Sequence, residues 1–140
     1  VHFTLQYQQK RWDKQMKKIM IVDDEPGVLY TVKTGLEAIA DDIEVFTMDS
    51  GEECLKHLDE VNPDLIILDL MMPTMSGWAT YDQIRDKKNW EKTPIIFLTA
   101  RTDDIAKGAG NFLAEDFLEK PVDVNIIKER IEKILDKKEE

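Results

Sequence analysis

Four apolar runs in this chain each end on a residue able to handle phosphate or metal, and that shared ending constrains the fold more than any other feature. Met20-Ile21-Val22 runs into Asp23-Asp24, and Leu65-Ile66-Ile67-Leu68 into Asp69. Ile95-Ile96-Phe97-Leu98 runs into Thr99, and Phe117-Leu118-Glu119 into Lys120-Pro121. Short unbroken runs of this kind read as strands buried on both faces, which means a parallel sheet covered by helices. Parallel strands bring their carboxyl ends to one edge, where open α/β sheets bind ligands. Three carboxylates, a hydroxyl and an ammonium are therefore expected around one site.

The segments between these runs carry helical patterns. After a strand at about 18–22, Pro26 suits the first turn of a helix over about 26–40, with Val28, Val32, Leu36 and Ile39 as its apolar stripe. Ile43-Glu44-Val45-Phe46 reads as a strand, and the helix near 51–60 faces inward through Cys54, Leu55 and Leu58. After the strand Leu65–Leu68, Ser76 is a candidate N-cap for a helix near 77–88. The strand Ile95–Leu98 precedes a weak helix near 103–112, interrupted by Gly108 and Gly110. A short strand at 116–119 leads to a closing amphipathic helix marked by Val124, Ile127, Ile131 and Ile134. Five strand–helix units in a row specify an α/β fold, a doubly wound five-stranded parallel sheet with five helices.

The 140 residues are enough for one domain with a real core. Net charge is −10, a poor match for direct nucleic-acid binding. The balance is uneven: residues 1–18 hold Lys10, Arg11, Lys14, Lys17 and Lys18 against Asp13. Residues 1–17 do not resemble the rest and are expected to be an extension, flexible or non-native, with Met16 as the authentic start; 18–138 is the expected domain. No apolar stretch approaches the ~20 residues of a membrane span, and no signal-peptide pattern is present. The single cysteine, Cys54, is expected to be a buried structural thiol. A cytoplasmic location is the expectation.

Unit charges ~4 Å apart repel by about 4 kcal/mol at an effective dielectric near 20. Asp23, Asp24 and Asp69 together therefore call for a positive partner, either Lys120 or a divalent cation. Hard oxygen ligands with room for water suit Mg²⁺ best. Each residue also has a structural explanation: acids start helices, aspartate makes turns, threonine caps and lysine solvates a surface. Their recurrence at the carboxyl ends of four strands favours a joint function.

The motifs Ile21-Val22-Asp23-Asp24-Glu25, Leu68-Asp69-Leu70-Met71-Met72-Pro73 with Met75-Ser76-Gly77, Leu98-Thr99-Ala100, and Asp116-Phe117-Leu118-Glu119-Lys120-Pro121 follow one another in order. In this the chain resembles the receiver domain of two-component response regulators, over residues 18–138. The resemblance implies the flavodoxin-like strand order 2-1-3-4-5. It implies that Asp69 is the phosphoacceptor, and that Asp23, Asp24, Asp69 and the backbone carbonyl of Met71 hold Mg²⁺. Lys120 and Thr99 would bind the phosphoryl oxygens, joined by the backbone N–H of Ala100, and the Lys120-Pro121 bond would be cis. Thr99 and Phe117 would be switch residues, changing the face made by the fourth helix, fifth strand and fifth helix. Met71 and Arg101 fall where family members differ and phosphoryl lifetime is set. Leu113 stands where a glycine is usual, which bears on the end of the fourth helix.

The implied partners are a histidine kinase or histidine phosphotransfer protein as donor and a downstream protein target, with a homodimer formed on phosphorylation as a further expectation. No direct nucleic-acid contact and no membrane insertion are expected, and the domain would catalyse only its own phosphorylation and dephosphorylation. His2 and His57 are too isolated to suggest an internal relay. A phosphohydrolase of the haloacid-dehalogenase type would want an acid where Met71 stands, and a P-loop protein would need a glycine-rich loop before Lys-Ser or Lys-Thr. A receiver-like module that only binds partners has no need of the intact acidic, hydroxyl and lysine set. The closing charges favour a stand-alone receiver over a piece of a larger regulator.

Overall fold

The computed structural model describes residues 15–100 and 116–139. Five strands, β1 (Lys17–Val22), β2 (Ile43–Met48), β3 (Leu65–Asp69), β4 (Ile95–Thr99) and β5 (Asp116–Glu119), form one parallel sheet in the order β2-β1-β3-β4-β5. The described helices are α1 (Pro26–Ile39), α2 (Gly51–Val61), α3 (Gly77–Asp86) and the closing helix α4 (Val124–Glu139). The expected helix near 103–112, together with Arg101, Leu113 and residues 1–14, lies outside the described residues. None of the helices among the described residues is long and apolar enough to cross a membrane.

Strand pleating explains the two-sided core. In β1, Met20 and Val22 point to one face and Ile19 and Ile21 to the other, all fully buried. The first face packs on α2 and α3 through Cys54, Leu58, Tyr81 and Ile84. The second packs on α1 and α4 through Val32, Leu36, Ile127 and Ile131. Burial of these side chains supplies about 1.5–3 kcal/mol each. Burial also pushes the Cys54 thiol up to about 12, the nearby Lys87 opposing only weakly, so it stays an unreactive core group.

Ile39 departs from the expected stripe: it is 43% exposed, because α1 ends there and Ala40 turns extended. Leu135 is buried, a core position of α4 outside the four marked in the sequence. The helix after Ser76 stops at Asp86, and a 3-10 turn, Lys88–Trp90, follows. That turn buries Trp90, whose indole N–H donates to Asp59 Oδ1 at 3.1 Å, while Arg85 donates to the Trp90 and Thr93 carbonyls at 2.9 and 2.8 Å. The bend serves the tryptophan.

β2 is an edge strand, and α1 reaches over it. Glu37 Oε2 accepts the Val45 N–H at 2.9 Å, and Lys33 Nζ donates to the Val45 carbonyl at 2.8 Å. The two side chains also pair with each other at 3.0 Å. The backbone groups of Val45 that β1 does not use are satisfied within the chain.

Candidate functional site

Sheet register assembles the site. Val22 is paired with Leu68, so the residues just beyond β1 and β3, Asp23 and Asp69, are neighbours at the carboxyl edge. Asp69 is paired with Leu98, which places Thr99 one step further along the adjoining strand. The Lys120 N–H donates to the Thr99 carbonyl at 2.7 Å, fixing the end of β5 beside that of β4. Sequence reasoning expected these residues to meet, and the fold brings them to one edge.

Asp23 is fully buried, Asp69 is 2% exposed, and Asp24 is exposed toward solvent. One carboxylate oxygen from each lies within 4.8 Å of the others. The Lys120 ammonium stands 2.9 Å from Asp23 Oδ2, 3.5 Å from Asp69 Oδ2 and 3.4 Å from Glu25 Oε1. The Lys120-Pro121 bond is cis. The Glu25 N–H donates to Asp23 Oδ1 at 2.9 Å and the Met71 N–H to Asp69 Oδ1 at 3.2 Å. Asp23 Oδ2, although close to the ammonium, receives no aligned hydrogen bond. A buried oxygen with charge nearby but no aligned donor suits a cation ligand. Three carboxylates against one ammonium leave the site negative, and their oxygens are hard donors, so the set fits Mg²⁺.

Burial pushes the Asp69 carboxyl up to about 6, and the Asp23 charge adds to the rise; the Met71 N–H and Lys120 hold it back. For Lys120, burial works to lower the pKa, but Asp23, then Asp69 and Glu25, outweigh it and raise the value above the usual 10.5. The ammonium stays charged. A carboxyl that is costly to ionise, with a charged ammonium held against it, is the kind of perturbed pair that functional clefts concentrate.

The loop after Asp69 is shaped by two local devices. Gly77 opens α3 so close to the strand that a Cβ there would overlap the Asp69 carbonyl oxygen and Leu70 Cα, and its N–H donates to the Leu70 carbonyl at 2.9 Å. Ser76 caps the helix, its hydroxyl accepting the Ala79 N–H at 3.1 Å, as the sequence suggested. Met71 leaves the strand 64% exposed, two residues beyond Asp69. Thr99 is fully buried, and Ala100 follows it in an exposed bend. Phe117 is partly buried, its ring 5.7 Å from Phe97, which also meets Trp78 at 5.0 Å and Tyr81 at 5.3 Å.

Two participants escaped sequence reasoning. Glu25 was part of a motif without a role, and nothing in its spacing announces a lysine 95 positions later as its neighbour. Gly77 was also only a motif letter; a glycine placed directly after a capping serine was the available signal.

A family model described as Response regulator receiver domain matches residues 19–132. The alkaline phosphatase synthesis transcriptional regulatory protein PhoP of Bacillus subtilis is 36% identical over 124 residues, covering 88% of this chain and 50% of that protein. The chain thus spans about half the length of the curated relatives it matches. Among solved structures, response regulator TrrA of Thermotoga maritima, in complex with Mg²⁺ and BeF, is 35% identical with a TM-score of 0.73, covering 84% of this chain and 98% of that one. The chemotaxis response regulator CheY4 of Vibrio cholerae is 27% identical with a TM-score of 0.75, covering 85% and 98%.

Proposed function

The chain belongs to the response regulator receiver domain family, and from that premise we propose that it is a phosphorylation-dependent signalling switch with Asp69 as the acceptor. The observation that carries this reading is the buried Asp69 carboxylate held between the Lys120 ammonium and the Asp23–Asp24 pair. An Asp69 oxygen attacks the phosphorus of a phosphohistidine; the P–N bond breaks, the imidazole leaves, and an acyl phosphate remains. Asp23, Asp24, Asp69 and the Met71 carbonyl would hold Mg²⁺, which when bound offsets phosphoryl charge. Lys120 binds the phosphoryl oxygens, with the Thr99 hydroxyl and the Ala100 N–H as further donors. Such positioning and charge compensation are most of what phosphoryl transfer requires of a protein. The TrrA complex, which holds Mg²⁺ and BeF in a receiver of the same fold, supports the metal and the anion site.

In the same reading, Thr99 moves toward the new group and Phe117 turns, altering the face that includes β5 and α4. The donor is a histidine kinase or phosphotransfer protein and the recipient a downstream protein. The domain catalyses only its own phosphorylation and dephosphorylation, and 18–138 is the receiver unit. A second reading, the receiver part of a longer regulator, is favoured by the half-length match to curated relatives; intact-mass analysis of the protein from its source separates the two.

The test is treatment with acetyl phosphate and Mg²⁺ followed by mass spectrometry. One phosphoryl group on Asp69 is expected, with labelling lost in Asp69→Asn. Labelling that survives this substitution moves the acceptor elsewhere.

A further inference from the structure

Glu25 occupies the N-cap position of α1, yet its side chain makes no cap hydrogen bond. Glutamate is not among the residues that cap well, and here its carboxylate is turned to the Lys120 ammonium, 3.4 Å away. Lys120 thus stands against three carboxylates, at 2.9 Å from Asp23, 3.5 Å from Asp69 and 3.4 Å from Glu25. Asp23 and Asp69 are buried and belong to the acidic cluster. The Glu25 side chain is 61% exposed and stands outside that cluster. It is therefore the one partner of the three that can leave Lys120 without stranding a buried charge.

We propose that Glu25 is a gate on phosphoryl loading: it holds the Lys120 ammonium while Asp69 is unmodified and yields it to the arriving phosphoryl oxygens. The proposal rests on the receiver reading above. A carboxylate and a phosphoryl group compete for the same ammonium donors, so each loading event must displace Glu25. The carboxylate also puts negative charge at the mouth of the site, which disfavours small anionic donors. Glu25 is accordingly expected to slow loading from small anionic donors such as acetyl phosphate.

The experiment compares wild type and Glu25→Gln at saturating Mg²⁺, reading acetyl-phosphate labelling rate and beryllofluoride affinity at low and high salt, with melting temperature as a control on folding. An exposed ion pair of this kind corresponds to a factor of up to about five. Glu25→Gln is expected to load about threefold to fivefold faster and to bind beryllofluoride more tightly by a similar factor. The gain should shrink near 1 M salt, where the screening length falls to about 3 Å. Equal or slower loading by Glu25→Gln, with wild type labelled normally, overturns the gate, as does a gain that salt leaves untouched. Failure of wild type itself to label overturns the receiver reading instead.

Discussion

Asp69 carries the sharpest residue-scale consequence. Its folded pKa is raised from 3.8 to about 6 by burial and then by Asp23. A raised carboxyl keeps its proton in the folded state while the unfolded chain has lost it. Metal-free stability should therefore fall as pH rises from about 4 to about 6 and level off above that. Urea unfolding across this window should show the loss in wild type and a flatter curve in Asp69→Asn. Gly77 gives a second test. A methyl group there has no space against the Asp69 carbonyl, and overpacking of this kind costs about 1–3 kcal/mol or more. Gly77→Ala should lower the melting temperature and, on the proposed role of Asp69, also slow acetyl-phosphate labelling, since relief of the overlap moves Asp69 itself.

At the scale of elements, strands were more legible than the helices' ends. Apolar runs of four residues specify β3 and β4 by themselves, and the shorter 116–119 segment also falls where β5 lies. The end of α3 was not legible, because it depends on Trp90 reaching Asp59 on another helix, a contact 31 residues away in sequence. The clasp of Lys33 and Glu37 on Val45 was half visible: their i, i+4 spacing suggests a pair, but not that both also bind strand backbone. Glu37→Ala leaves the Val45 N–H without its acceptor. It should cost about 1–2 kcal/mol in chemical denaturation and increase concentration-dependent association in light scattering, because an uncovered edge pairs with other strands.

For the whole molecule, stability and metal binding are expected to draw on one set of charges. A ligand that binds only the folded chain stabilises it, by about 2.7 kcal/mol at a hundredfold excess over its dissociation constant. Mg²⁺ is therefore expected to raise the melting temperature, more at pH 7 than at pH 5, since Asp69 must lose its proton to take part. A chelator should reverse the shift, and equal shifts at both pH values would detach Asp69 from the metal. The acidic, hydroxyl and lysine residues were legible in the sequence because parallel topology sends every strand end to one edge. Glu25 and Gly77 were not, because their roles arise from distances that only the folded loops create.

The aromatic contacts running from Phe117 through Phe97 to Trp78 have an optical corollary. If Phe117 turns on phosphorylation as proposed, the surroundings of the indole two rings away change, so Trp78 emission is expected to shift on acetyl-phosphate treatment with no dye attached. Trp90, buried and hydrogen-bonded to Asp59, is the second indole in the same core, so Trp78→Phe is the control that assigns the shift.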